Sequence, residues 1–197
     1  MAGSLAPVLK LRAATHSDIP VLRGITERAE SARRGARLAA HHVPGEESWR
    51  RLLTIEDGWG RVAELDDVPV GFVLGFPSHD EQNDRRPDDT QHLKYLMVEP
   101  ALWGRGVGGR LLDWASEHLR GRGVRTVELW TEEDNTRSRQ LYEKKGYRFT
   151  GSRKAHEELG EVIVQYRLDI WEMGHGPPVR RRHSTGRRRP KQQAESP

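Results

Sequence analysis

Apolar residues alternate with polar ones over "PVLKLRAAT", residues 7–15, which predicts a strand. The period then lengthens. In "HSDIPVLRGITERAE" Ile19, Leu22 and Ile25 share one helical face, with Ser17 as the expected cap. Residues 31–53 read as helical in two pieces, broken at "VPG". Alternation returns in "GWGRVAEL" and "VPVGFVLGF", and "DDVP" between them signals a hairpin. The polar stretch "PSHDEQNDRRPDDTQ" reads as a loop, and "HLKYLMV" as the next strand. Over 102–121 Leu111, Leu112, Ala115 and Leu119 form a helical stripe that "GRG" ends. A strand "VRTVELWT", a short helix "NTRSRQLYEKK" closed by Gly146, and a closing hairpin of "YRFTGSRK" and "EVIVQYRLDI" follow.

The order is strand, two helices, three strands, helix, strand, helix, two strands, with no internal repeat. That predicts an α/β (α+β) domain over 8–171, a mixed sheet with helices against it. From Glu172 to Pro197 apolar periodicity stops, and this segment is expected to be a disordered tail.

Charge sharpens the boundary. The formal charge is +4, yet residues 172–197 hold seven Lys/Arg and two acids, leaving 26 basic against 27 acidic residues before them. The folded part therefore has no basic bias toward nucleic acid. The chain has no cysteine, which excludes disulfides, thiolate metal sites and a cysteine nucleophile, and suits a reducing, cytoplasmic setting. "MAGSLAPVLK" lacks the form of a secretory signal, and no apolar run approaches the ~18 residues of a membrane span.

The chemistry concentrates in "LWGRGVGGRLLDWASEHLRG". Glycines before a helix let the backbone approach a ligand, and a helix start presents free N–H groups to anions. Gly104, Gly106 and Gly109 satisfy G-x-G-x-x-G, with Glu128 about where a ribose-binding acid belongs. "EPALW", however, stands where a dinucleotide fingerprint needs a tight turn, and too few βα units follow. A Walker loop is excluded, because "GRGVGGR" lacks the Lys-Ser/Thr ending. His41-His42 raises the question of metal binding, but adjacent histidines share no face and no carboxylate pattern supports them, so they read as loop and no metal site is expected.

The block from "LKYLMVEP" through "GRGVGG" to Asn135, Ser138, "LYEK" and Gly146-Tyr147 resembles the GNAT superfamily of acyl-CoA-dependent N-acetyltransferases. The likeness is densest over about 92–151. It departs at Trp103, which stands where the family usually has Gln or Arg, a polar role that Arg105 is expected to take. The resemblance implies a mostly antiparallel sheet of about seven strands whose fourth and fifth strands splay apart. It implies acetyl-CoA as co-substrate, with no metal, and a primary amine of a small molecule or protein as acceptor. The backbones of Met97 and Val98 would hold the pantetheine arm. Amides of Arg105, Gly106, Val107, Gly108, Gly109 and Arg110 would cradle the pyrophosphate, and Asn135 and Ser138 would line the site.

Tyr142 stands where the family places its general acid. On pattern alone it packs beside Leu141 equally well. Asn135, Ser138 and Tyr142 are spaced i, i+3, i+7, one helical face. His92, Glu99 and Glu128 are the candidate bases, and a water relay is the alternative to all three. Two other readings stand beside the enzyme: a dinucleotide-binding protein, and a nucleic-acid-associated factor working through "RRRHSTGRRRPK". A homodimer is left open. Truncation after Met173 is expected to leave melting temperature and turnover nearly intact, measured by thermal denaturation and release of coenzyme A thiol.

Overall fold

The computed structural model describes residues 8–35, 43–79, 89–156 and 161–173. His41, His42, residues 80–88 of the predicted polar loop and the tail from residue 174 lie outside the described residues. The last described turn, Ile170–Met173, runs two residues past the predicted domain end.

Strand β1 (Leu9–Ala13) leads into a short 3-10 turn and helix α1 (Ile19–Arg34). Asp18, not Ser17, caps that helix. Its carboxylate accepts from the Thr15 N–H at 2.8 Å and from Arg12 at 2.7 Å, which fixes the turn from strand into helix. The helix continues four residues beyond the predicted segment and stops at Gly35, whose φ of +84° is left-handed. Helix α2 (Glu46–Thr54) follows. Strands β2 (Trp59–Leu65) and β3 (Val68–Pro77) form the predicted hairpin. Asp66 and Asp67, at φ of 52° and 63°, make its two-residue turn. After these come β4 (Thr90–Val98), α3 (Val107–Gly121), β5 (Thr126–Glu132), α4 (Thr136–Lys144), β6 (Arg148–Ala155) and β7 (Val162–Asp169).

The seven strands form one sheet in the order β1-β2-β3-β4-β5-β7-β6. Only β4 and β5 pair in parallel; every other pair is antiparallel. A doubly wound dinucleotide sheet needs successive parallel crossovers, so this topology overturns that reading. Strand β3 lies inside the sheet, between β2 and β4, and is buried from Val70 to Gly75, as expected where both faces are covered. Phe72 and Leu74 pack under α1 and α2 with Ile19, Leu22, Ile25 and Trp49. Val73 packs on the other face with Leu111, Leu112, Ala115 and Leu119 of α3.

One irregularity shapes the centre of the sheet. Leu74 pairs with Tyr95 and Gly75 with Leu93, so Lys94 is an extra residue in β4, a bulge. Gly75 is required there, because a Cβ would stand 2.1 Å from the Trp59 ring and 2.5 Å from the His92 carbonyl. Beyond the bulge β4 no longer pairs with β5, the two being registered only at Thr90–Thr126, Gln91–Val127 and His92–Glu128. The splay implied by the resemblance is present, and the halves of the sheet part over Tyr95–Val98 and Leu129–Glu132.

Trp49 anchors α2 to the parted strand. It is fully buried, stacked on Tyr95 at 5.1 Å and edge-on to Phe72 at 5.7 Å. Trp49→Ala is expected to cost about 3–5 kcal/mol. At roughly 2–4 °C per kcal/mol for a domain of this size, thermal denaturation should show a loss on the order of 10 °C.

Candidate active site

Where β4 and β5 part, a cleft of about 1850 Å³ opens between them. Its upper wall is the end of β4 and the glycine loop, and its lower wall is the end of β5 and the start of α4. Glu99 N–H donates to the Val70 carbonyl at 2.8 Å. Residue 99 thus faces β3, and by strand alternation so does Met97. The predicted backbone contact from Met97 is therefore used inside the sheet. Leu96 and Val98 present their peptide groups to the cleft, and Leu96 is the residue that sequence reasoning missed. The Val98 carbonyl already accepts the Trp103 indole N–H at 2.8 Å.

The glycine loop divides its work. Gly104 and Gly106 have φ of +76° and +88° with open space beyond them, so they make the turn. Gly108 has a different duty, because a Cβ there would meet Leu141 of α4 at 3.1 Å. The predicted cradle also narrows. The Arg105 amide donates to the Leu102 carbonyl and the Arg110 amide to Gly106, at 3.2 and 3.0 Å. That leaves the amides of Gly106, Val107, Gly108 and Gly109 at the start of α3 for an anion. These residues and Arg110 border the cleft, whereas the Arg105 side chain does not.

Asn135, Ser138 and Tyr142 meet at the same cleft from α4. Asn135 is the helix cap, its side-chain carbonyl accepting from Ser138 N–H at 3.2 Å. Tyr142 is buried against Tyr147 and Tyr166, at ring separations of 5.7 and 6.3 Å. Burial, and secondarily the charge of Glu132, pushes its phenol above the usual tyrosine range, so it stays protonated.

Of the three candidate bases only His92 borders the cleft. Burial, reinforced by Lys94, His79 and Lys154, holds its imidazole down to about 3, so it is neutral at neutral pH but a weak proton acceptor. Glu99 is gripped by the Arg28 guanidinium, with Nε to Oε2 at 3.0 Å, which ties α1 to the end of β4. Glu128 is buried and accepts from Ser78 and from Gln165. Neither glutamate lines the cleft. Sequence reasoning had no signal for the ion cluster at the other end. There buried Arg34 joins Glu30 at 2.6 Å, Glu132 and Glu161, and Arg33 joins Glu132 at 3.1 Å and Asp134 at 3.3 Å. It draws on α1, β5 and the approach to β7, segments far apart in the chain. Among the described residues no group of three or more His, Asp or Glu could hold a metal, and no helix is long and apolar enough to cross a membrane.

The chain matches, over residues 27–147, a family described as "Acetyltransferase (GNAT) family". It is 33% identical over 151 residues to a mycothiol acetyltransferase of Geodermatophilus obscurus, covering 72% of this chain and 47% of that protein. An uncharacterized N-acetyltransferase of Methanocaldococcus jannaschii is 33% identical over 92 residues, 47% of this chain and 39% of that protein. The chain thus spans about half the length, or less, of these relatives. Among solved structures, a ribosomal-protein-alanine N-acetyltransferase from Brucella melitensis has a TM-score of 0.66 at 21% identity, over 81% of this chain and 99% of that one. The PaiA N-acetyltransferase from Thermoplasma acidophilum, in complex with coenzyme A, has a TM-score of 0.64 at 14% identity, over 82% of this chain and 99% of that one. At these identities the structural likeness establishes the fold.

The depressed His92 pKa has a stability consequence of fixed sign. Below the ordinary histidine value of 6.5 the unfolded chain takes up a proton that folded His92 refuses until about pH 3. Stability from this group is therefore complete above pH 6.5 and is lost as pH falls toward 3, at up to about 1.4 kcal/mol per pH unit. Urea unfolding between pH 7 and 4 should show a shallower acid loss for His92→Gln than for the wild type.

Proposed function

The chain belongs to the GNAT acetyltransferase family, and on that premise we propose that it is an N-acetyltransferase, moving an acetyl group from acetyl-CoA to a primary amine of a small molecule or protein. The observation that carries this reading is the parted β4–β5 pair ending in four unclaimed amides. The residues present fit the co-substrate. The free N–H groups of 106–109 suit a pyrophosphate without a metal, and Arg110 adds a positive charge beside them. The outward peptide groups of Leu96 and the Val98 N–H suit an extended amide-bearing arm.

In the reaction the amine nitrogen attacks the thioester carbonyl; the C–N bond forms, the C–S bond breaks, the amine loses a proton and the departing thiolate gains one. Tyr142 stays protonated and is the donor on the cleft wall for that thiolate. The low polarity that raises the phenol also raises a thiolate leaving beside it, which keeps donor and acceptor matched. A lysine-like amine, of pKa about 10.4, is neutral in roughly one molecule in a few thousand at pH 7, so its proton needs a path out. His92 is too weak a base to take it alone, and Glu99 and Glu128 are engaged elsewhere. A water relay passing His92 is the reading the geometry supports best. The cytoplasm, reducing and rich in acetyl-CoA, is the setting we assign to this cysteine-free chain. The nucleic-acid reading draws no support from the fold or the relatives, and its arginine-rich segment lies outside the described residues.

The test is release of coenzyme A thiol from acetyl-CoA across a panel of amines, beside a thermal shift with acetyl-CoA alone. Tyr142→Phe should leave folding and acetyl-CoA binding nearly unchanged and lower turnover by up to the ~10²–10⁴ of a lost general acid. The loss should shrink for donors with a more acidic thiol. Equal turnover of Phe and Tyr enzymes, with chemistry rate-limiting, would make Tyr142 a packing residue.

A further inference from the structure

We propose that Trp103 and Arg137 form a subsite for the 3′-phosphate of acyl-CoA, making this chain selective for the full coenzyme over its 3′-dephospho form. The inference rests on the acetyl-CoA reading above and deepens it by assigning the nucleotide end of the co-substrate to two side chains.

Trp103 and Arg137 reach toward each other from opposite walls of the cleft. Trp103 closes the 3-10 turn (Pro100–Leu102) that follows β4, and its indole is oriented by the 2.8 Å hydrogen bond to the Val98 carbonyl. Arg137 comes from the first turn of α4, and its guanidinium lies over the indole, Cζ 4.1 Å from the ring centroid. Both border the cleft beside the glycine loop.

Arg137 is set apart from the ion-paired cations nearby by what it lacks, and from Arg110 and Lys144, which also have no carboxylate partner among the described residues, by its contact with an aromatic ring. Arg139 donates to the Tyr166 hydroxyl and the Glu133 carbonyl, and Lys145 pairs with Asp113 at 2.6 Å. Arg33 and Arg34 sit among carboxylates. Arg137 has no carboxylate partner among the described residues. A cation in the first turn of a helix also opposes the helix dipole, a cost that a bound anion offsets. With its Cζ held over the indole, the guanidinium still has N–H groups to offer for bidentate contact with a phosphate.

The 106–109 amides account for the pyrophosphate, and the acyl end runs inward toward Tyr142. The phosphate still without a partner is the ribose monoester, and the exposed rim beside the glycine loop is where Trp103 and Arg137 stand. Arg105, expected from the sequence to replace the missing Gln/Arg, does not border the cleft. Trp103 meets that need indirectly, by holding an arginine from another helix.

Isothermal titration with acetyl-CoA and with 3′-dephospho-acetyl-CoA, in the absence of an amine, tests this. Wild type should bind acetyl-CoA about 10–100-fold tighter, as expected for a lost charge-assisted contact. Arg137→Gln should bind both donors alike, near the wild-type affinity for the dephospho form, with the unliganded melting temperature unchanged. Trp103→Leu should lose most of the discrimination, since the guanidinium loses its platform. Equal wild-type binding of the two donors would overturn the proposal. So would a loss in Arg137→Gln that is the same for both, which would assign the residue to the pyrophosphate. Wild type that binds neither donor would overturn the acetyl-CoA reading as well.

Discussion

Two neighbouring strands that pair for three residues and then separate are the constraint from which the rest of this structure follows. Ending a parallel ladder in mid-sheet leaves peptide groups without partners, which a protein interior tolerates poorly. The separation is imposed by the Lys94 bulge, opposite a glycine that admits the Trp59 ring. It is accommodated locally: the Trp103 indole satisfies the Val98 carbonyl, Trp49 stacks on Tyr95, and α3 packs behind the upper wall. What stays open is a line of peptide groups leading to the free amides of a helix start. An extended ligand bearing amides at one end and phosphates at the other is the chemistry that would complete the ladder.

The two ends of the cleft differ in charge. Near the glycine loop, Arg110, Arg137 and Lys144 have no carboxylate partner among the described residues and line the cleft with the free amides. At the far end Glu30, Glu132, Asp134 and Glu161 meet Arg33 and Arg34, four carboxylates against two guanidiniums. Burying such charges gains little stability over an apolar packing, but removing one partner is costly. The cluster is therefore best understood as a brace. It holds the C-terminal end of α1 to β5 and to the approach to β7 where no strand pairing joins the two halves of the sheet.

Alternation and helical period determined much of this protein by themselves. The described strands and helices, the Asp66–Asp67 hairpin, the glycine turn and the meeting of Asn135, Ser138 and Tyr142 were all legible, because each depends on residues within one or two turns of each other, whereas most of the helical piece predicted before "VPG" lies outside the described residues. Three things were not. The bulge that opens the cleft depends on the register of β3 against β4 and leaves no local pattern. The free amides depend on which neighbours are consumed, and only the fold shows that Leu102 takes the Arg105 N–H. The candidate bases depend on partners remote in sequence: Arg28 lies 71 residues from Glu99, and Ser78 lies 50 from Glu128. A carboxylate reads the same in sequence whether it faces a cleft or a guanidinium. Tertiary packing decides which, because burial and charge pairing are set by whatever the fold brings within a few ångströms.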